Sequence, residues 1–224
     1  MFESKRTLIG IFGGTFDPIH YGHLRAAEEI IETVGLHNMR FIPAGEPCLR
    51  SSPVASSKHR MEMLRLAIKN NPKFILDDRE ILRQGPSYTI DSLCEIKQEL
   101  GETAALCFVI GVDAFTKLFK WHNWQELFRL CHFIIIARPG YILRMNHGVL
   151  SSELNLECLH RQVSTISSLR RISSGLIFIA PTTMLDISAT SIRAHVAAGK
   201  SAHYMIPDVV FDYIVANQLY SGEK

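Results

Sequence analysis

The chain has 224 residues, enough for one domain with its own buried core. It is 47% hydrophobic and 21% charged, with 24 basic against 22 acidic residues, which excludes a disordered chain and the basic stripe of a general nucleic-acid binder. Five scattered cysteines lack any CxxC spacing and read as reduced, packed thiols, and no apolar run spans a bilayer or serves as a signal peptide; the expected location is cytoplasmic, with neither nucleic acid nor membrane as partner.

In chain order, "TLIGIF" reads as a buried strand. A helix is expected over His20 to Val34, with Leu24, Ala27, Ile31 and Val34 on one face. "MRFIPAG" is a second short strand. Lys58 to Asn70 is a helix with Met61, Leu64 and Ile68 repeating, and "KFILDD" is strand-like. Tyr88 to Leu100 is a helix ended by Gly101. "ALCFVIGV" is the strongest buried strand. A short helix over Asn123 to Leu130 precedes the strand "HFIIIARPG". Tyr141 to Ser174 is polar and carries helix plus loop. "GLIFIAP" is the last strand, and helices over Ala189 to Ala198 and Pro207 to Gln218 close the chain.

Strands alternating with helices predict an α/β fold: a Rossmann-like, doubly wound parallel sheet with helices on both faces. The reading is a single domain over 1–224 with a helical part from about 186. Ligands in such a sheet sit beyond the carboxyl ends of the strands. Gly13–His23 and Asp186–Arg193 each follow a strand, so both belong at that edge.

The stretch "GIFGGTFDPIHYGHL" has an order that core packing does not require. Gly13 and Gly14 lie where a strand ends, and Pro18 stiffens the loop. His20 and His23 are one helical turn apart and can face one way. Gly22 leaves room between them for an anion at the helix start, where free N–H groups and the helix dipole also point. Two imidazoles and free amides suit phosphate. A surface or capping pair and a metal pair are the competing readings, the latter without an obvious third zinc ligand. The glycines do not fall as GxGxxG.

The string resembles the HxGH signature of the nucleotidylyltransferase superfamily, here His20-Tyr21-Gly22-His23. A second signature, ISxTxIR, stands as "ISATSIR" from Ile187 to Arg193. Within the superfamily the chain is most similar to bacterial nicotinate-nucleotide adenylyltransferases, on "GPSYTIDSL", "FVIGVDAF" with Trp121 following, "ARPGY" and the closing "NQLY". The resemblance covers nearly the whole chain and is weakest across Ile142–Ser174.

That resemblance implies transfer of AMP from ATP to nicotinate mononucleotide, giving deamido-NAD and pyrophosphate. ATP and nicotinate mononucleotide are then the ligands, Mg²⁺ rides on the ATP phosphates without a protein cage, and a homo-oligomer is left open. His20, His23 and Arg193 are the implied catalytic groups, with His23 close to the α-phosphate and Arg193 on the β- and γ-phosphates. ATP contacts are also implied for Gly13, Gly14, Thr15 and Phe16, and for Asp113, Ile187, Ser188 and Thr190. Ser188 is equally read as a plain N-cap. Asp113 either faces the adenosine or ribose or caps the next short helix. Asp17 either orients the loop or contacts the reacting groups. For the nicotinate nucleotide the implied residues are Arg50, Ser87, Tyr88, Thr89 and Trp121: the backbone amides of "PSYT" and the Thr89 hydroxyl for the carboxylate, Trp121 as a stacking platform, and Trp124 as packing.

Two positions depart from the family pattern. Leu49 stands where a histidine is usual, with Arg50 keeping the cation and Lys58 or His59 as substitutes. His122 replaces the aromatic that follows the tryptophan. The alternatives are another HxGH enzyme, such as a pantetheine-phosphate adenylyltransferase or a cytidylyltransferase, and a non-catalytic nucleotide sensor.

Overall fold

The computed structural model describes residues 6–47, 52–137, 150–183 and 185–222. The chain opens with β1 (Thr7–Gly14), α1 (Tyr21–Val34), β2 (Asn38–Pro43), β3 (Glu46–Pro47), α2 (Ser57–Ile68) and β4 (Phe74–Leu76). It continues through α3 (Arg79–Leu82), β5 (Pro86–Ser87), α4 (Thr89–Leu100), β6 (Ala104–Gly111), α5 (Val112–Phe115), a 3₁₀ turn (Leu118–Lys120) and α6 (Trp124–Leu130). Then come β7 (Cys131–Ala137), α7 (Ser152–Arg161), β8 (Gln162–Val163), α8 (Ser167–Arg171), β9 (Ile177–Pro181), α9 (Ala189–Ala197) and α10 (Asp208–Ala216).

Seven strands form one sheet in the order β4-β2-β1-β6-β7-β9-β8, and every neighbouring pair is parallel. Alternate residues face opposite sides, as strand geometry requires. Leu8 and Phe12 of β1, Ala105, Cys107 and Val109 of β6, and Ile134 and Ile136 of β7 face one layer, packed by α1, α2, α8, α9 and α10. Ile9 and Ile11, Leu106, Phe108 and Ile110, and Phe133 and Ile135 face the other, packed by α4, α6 and α7. Burial on both faces is why these strands read as continuous apolar runs instead of alternating ones. The sheet is thus Rossmann-like and doubly wound.

The chain leaves β1 toward β2 and β4 on one side, and β6, β7 and β9 build out on the other. Between β1 and β6 the strand order therefore reverses, and a crevice opens beyond their carboxyl ends. Gly14 ends one of these strands and Gly111 the other.

The differences from expectation are local. The small ladder of β3 against β5 has two residues per strand, too few to carry a period. Helix α2 buries Leu64 and Ile68 of the expected stripe, but Arg60 and Met63 in place of Met61, which is half-buried. A charged residue occupies the core-facing position because loop carbonyls wait there for donors, as shown below. Within Tyr141–Ser174, residues 150–174 hold α7, β8 and α8; the rest lies outside the described residues, as do the end of "HFIIIARPG" and all of "ARPGY" but its first residue.

Candidate active site

Beyond β1 the chain turns sharply. A Cβ on Gly14 would lie 3.0 Å from the ring of Phe16, which folds back beneath the strand end at a φ of 49°. Phe16 is 2% exposed and packs edge-on against Phe12 and His23. Its ring is therefore part of the core at the base of the crevice. Asp17 follows, buried, through a cis Asp17–Pro18 bond. Its Oδ2 accepts from the Val54 N–H at 2.7 Å, and its Oδ1 accepts from the Ala55 N–H at 3.2 Å and the Tyr220 hydroxyl at 2.6 Å. The carboxylate is thus spent on holding loops, the orienting role of the two considered.

Arg60 lies under the same loops and is 1% exposed. Its guanidinium donates to the carbonyls of Thr15 at 2.8 Å, Gly45 at 3.2 Å and Ala55 at 3.3 Å. A planar fork with five donors can tie three loops at once, which an apolar residue cannot. Nothing in the sequence marks this arginine apart from its neighbours; only its place on the apolar side of α2 does.

His20 precedes α1 in extended conformation. Its ring and that of His23 stack with centroids 3.7 Å apart. Burial pushes His20 down to about 4, so it is neutral at physiological pH. Its Nδ1 has no hydrogen-bond partner among the described residues. A Cβ on Gly22 would fall 3.0 Å from His20 Cε1 and Nδ1 and 3.6 Å from the Ile187 carbonyl oxygen. Gly22 is thus needed first for the histidine's own ring and for the close approach of the second signature.

That second signature follows β9. Ser188 accepts from the Ser191 N–H at 3.1 Å, and the Ser191 hydroxyl accepts in turn from the Ser188 N–H at 3.4 Å, a reciprocal cap on α9. Ser188 is a helix cap in this conformation. One turn on, Arg193 Nη1 donates to the backbone carbonyl of Asp17 at 2.7 Å, and its Nη2 approaches the Thr190 hydroxyl at 3.4 Å. The guanidinium is half-buried and reaches the same crevice as the two imidazoles.

The opposite wall comes from β5, α4 and the segment after β6. The Ser87 hydroxyl accepts from the N–H groups of Gly45 at 3.0 Å and Glu46 at 3.1 Å, and it also meets the buried Glu80 carboxyl. Ser87 therefore ties loops together. Tyr88, just before α4, stacks on His122 at 4.5 Å, and Thr89 begins the helix. Trp121 is half-buried at the cleft and edge-on to Phe108, whereas Trp124 is buried against Phe128. Asp113 is exposed at the cleft. It does not cap α5, whose N-cap is Gly111; it lies within the first turn instead. Lys120, which the sequence did not single out, also lines the cleft.

These walls line an open cleft of about 1390 Å³, above the usual 300–1,000 Å³ for a single small ligand. Arg50 and Leu49 lie outside the described residues. Neither Lys58 nor His59 lines the cleft; His59 Nδ1 sits 2.9 Å from the Tyr213 hydroxyl. Among the described residues no group of three His, Cys, Asp or Glu is placed to hold a metal ion, and no helix is long and apolar enough to cross a membrane.

The sequence profile of the family described as "Cytidylyltransferase-like" matches residues 11–195, which takes in both signatures and both walls. The chain belongs to this family. It is 42% identical to a Dechloromonas aromatica protein named "Probable nicotinate-nucleotide adenylyltransferase", over 95% of this chain and 97% of the relative. It is 40% identical to an Acidithiobacillus ferrooxidans protein of the same name, over 99% of this chain and 100% of the relative. Among solved structures it shares its fold with the Plasmodium falciparum nicotinic acid mononucleotide adenylyltransferase complexed with NaAD. That match has a TM-score of 0.71 at 22% identity and covers 96% of this chain and 98% of the other.

Proposed function

We infer that the protein transfers AMP from ATP to nicotinate mononucleotide, giving deamido-NAD and pyrophosphate. The observation that carries this reading is the 2.7 Å bond from Arg193 to the Asp17 carbonyl, which ties the second signature to the loop that ends in His20 and His23. Full-length similarity to proteins named for this reaction supports the choice of substrates.

In the reaction a phosphate oxygen of nicotinate mononucleotide attacks the α-phosphorus of ATP. The bond from that phosphorus to the β-bridging oxygen breaks, and pyrophosphate leaves with the electron pair. No covalent enzyme intermediate is required. The protein's contribution is to hold the reactants in line and stabilise charge on the leaving group. Arg193 grips the β- and γ-phosphates through its remaining donors. His23 sits at the α-phosphate, and His20, kept neutral by burial, serves as a hydrogen-bonding group, not a fixed cation. The amides at the start of α1 add donors. The substrate form is magnesium ATP: magnesium favours phosphate oxygens and water over an all-protein cage.

Trp121 offers its face to the pyridine ring, and the backbone at Tyr88 and Thr89 offers donors to the carboxylate. Since the Ser87 hydroxyl is occupied by loop amides, its part in binding is indirect. A cytoplasmic location accords with the four free cysteines among the described residues.

The test is pyrophosphate release from ATP and magnesium with nicotinate mononucleotide, nicotinamide mononucleotide or phosphopantetheine in parallel. Release with nicotinate mononucleotide above the other two is expected. Release only with phosphopantetheine, or with none, overturns the reading.

A further inference from the structure

The network around Asp17 has a member that neither signature contains. Tyr220 is buried, and its hydroxyl donates at 2.6 Å to Asp17 Oδ1 across 203 residues of sequence. Its ring belongs to the core layer that also holds α1 and α9. The backbone here is held in the left-handed region at two non-glycine residues, Gln218 at a φ of 52° and Tyr220 at 60°. Such residues persist only where the surroundings hold them. Asp17 is thus a junction of three segments. Its carboxylate takes Val54 and Ala55 from the loop before α2 and Tyr220 from the tail, while its carbonyl takes Arg193 from α9.

We propose that Tyr220 is a positioning residue for the transfer reaction: through Asp17 it sets where Arg193 and the Val54–Ala55 loop stand in the cleft. This rests on the reading given under Proposed function. The physical reason is burial. Asp17 is 5% exposed, so water does not readily replace a lost donor. Without the Tyr220 hydroxyl the carboxylate shifts toward the two amides that remain, with the positive charge of Arg60 nearby but its donors engaged on the carbonyls of Thr15, Gly45 and Ala55. Any such shift carries the Asp17 carbonyl with it, and that carbonyl is the anchor of Arg193. A displacement of about 1 Å at a positioned group is enough to slow transfer substantially.

The experiment uses the full chain as wild type, Tyr220→Phe, Arg193→Lys and the double variant, with ATP and nicotinate mononucleotide varied separately. Tyr220→Phe is expected to stay folded by circular dichroism and to raise the KM for ATP about tenfold, the worth of one donor to a buried charge. The KM for nicotinate mononucleotide stays within about twofold. In the Arg193→Lys background the same change adds little, because both act on one contact. Val54→Pro deletes another donor to Asp17 without touching the tail and is expected to reproduce the ATP effect, which keeps the test open if Tyr220→Phe fails to fold. The proposal is overturned by unchanged ATP kinetics in Tyr220→Phe and Val54→Pro, by equal shifts in both KM values, or by independent effects in the double variant. A wild-type chain that releases no pyrophosphate with nicotinate mononucleotide overturns the functional reading instead, and the two failures are distinct.

Discussion

The imidazoles of His20 and His23 stack at 3.7 Å between ring centroids with 30° between their planes. Two rings this close cannot both carry charge cheaply, and burial keeps His20 neutral to about pH 4. Phe12 and Phe16 pack edge-on against the His23 ring.

Replacing His23 by alanine removes the group assigned to the α-phosphate. The expected outcome is a fall in kcat of about 10²–10³, typical for loss of one preorganised donor, with the unfolding midpoint changed little. Steady-state rates and urea unfolding on the same preparation check this. Near-normal turnover would take His23 out of the transition state.

Gly22→Ala separates helix propensity from site geometry. Alanine favours a helix over glycine by about 1 kcal/mol, yet its Cβ would press on the His20 ring at 3.0 Å. That ring has the His23 ring stacked against it. Turnover should fall more than tenfold whatever the melting temperature does. A variant with raised stability and full activity would show that the ring has somewhere to go.

Trp121→Ala should raise the KM for nicotinate mononucleotide by up to roughly tenfold, the scale of one aromatic stack, and leave the KM for ATP near wild type. Trp121→Phe should recover most of the loss. Equal effects on both substrates would mean that Trp121 supports the wall without touching the pyridine ring.

Acid should weaken the fold through His132, which is fully buried in β7. The Leu176 N–H points at its Nδ1 at 3.1 Å, and its Nε2 faces the Ile172 carbonyl at 3.0 Å, so the ring is neutral with its proton on Nε2. Burial pushes it down to about 4 from an ordinary 6.5. Between those values the unfolded chain binds a proton that the folded chain refuses. Stability is therefore full above pH 6.5 and falls as the pH drops toward 4, by on the order of 3 kcal/mol for one such group. His20 has the same sign over the same window. Urea unfolding at pH 7, 5.5 and 4.5 should show the decline, and His132→Gln should flatten it. A slope unchanged in the variant would place the acid sensitivity elsewhere.

Much of the architecture was legible because it depends on near neighbours. Strands buried on both faces appear as unbroken apolar runs such as "ALCFVIGV", and α1 shows a 3.6-residue stripe. The helix over 89–100 was expected one residue earlier, at Tyr88, because its N-cap contributes no side-chain bond to mark the boundary. Arg60 escaped notice for a different reason. A buried arginine becomes intelligible only when the three carbonyls it serves are brought to it from Thr15, Gly45 and Ala55. The part of the Ser87 hydroxyl in joining loops was not legible because the amides it accepts from lie about 40 residues upstream, across a two-residue ladder.

What the order of amino acids settled alone was the layered fold and the presence of the two signatures, since periodicity and short motifs are properties of adjacent residues. Tertiary structure decided which of those groups are free to act: it left His20 uncharged, spent Asp17 and Ser87 on loops, and seated Arg193 on the Asp17 carbonyl. Burial and hydrogen-bond partnership decide such matters, and both arise only when segments far apart in the chain are packed against one another.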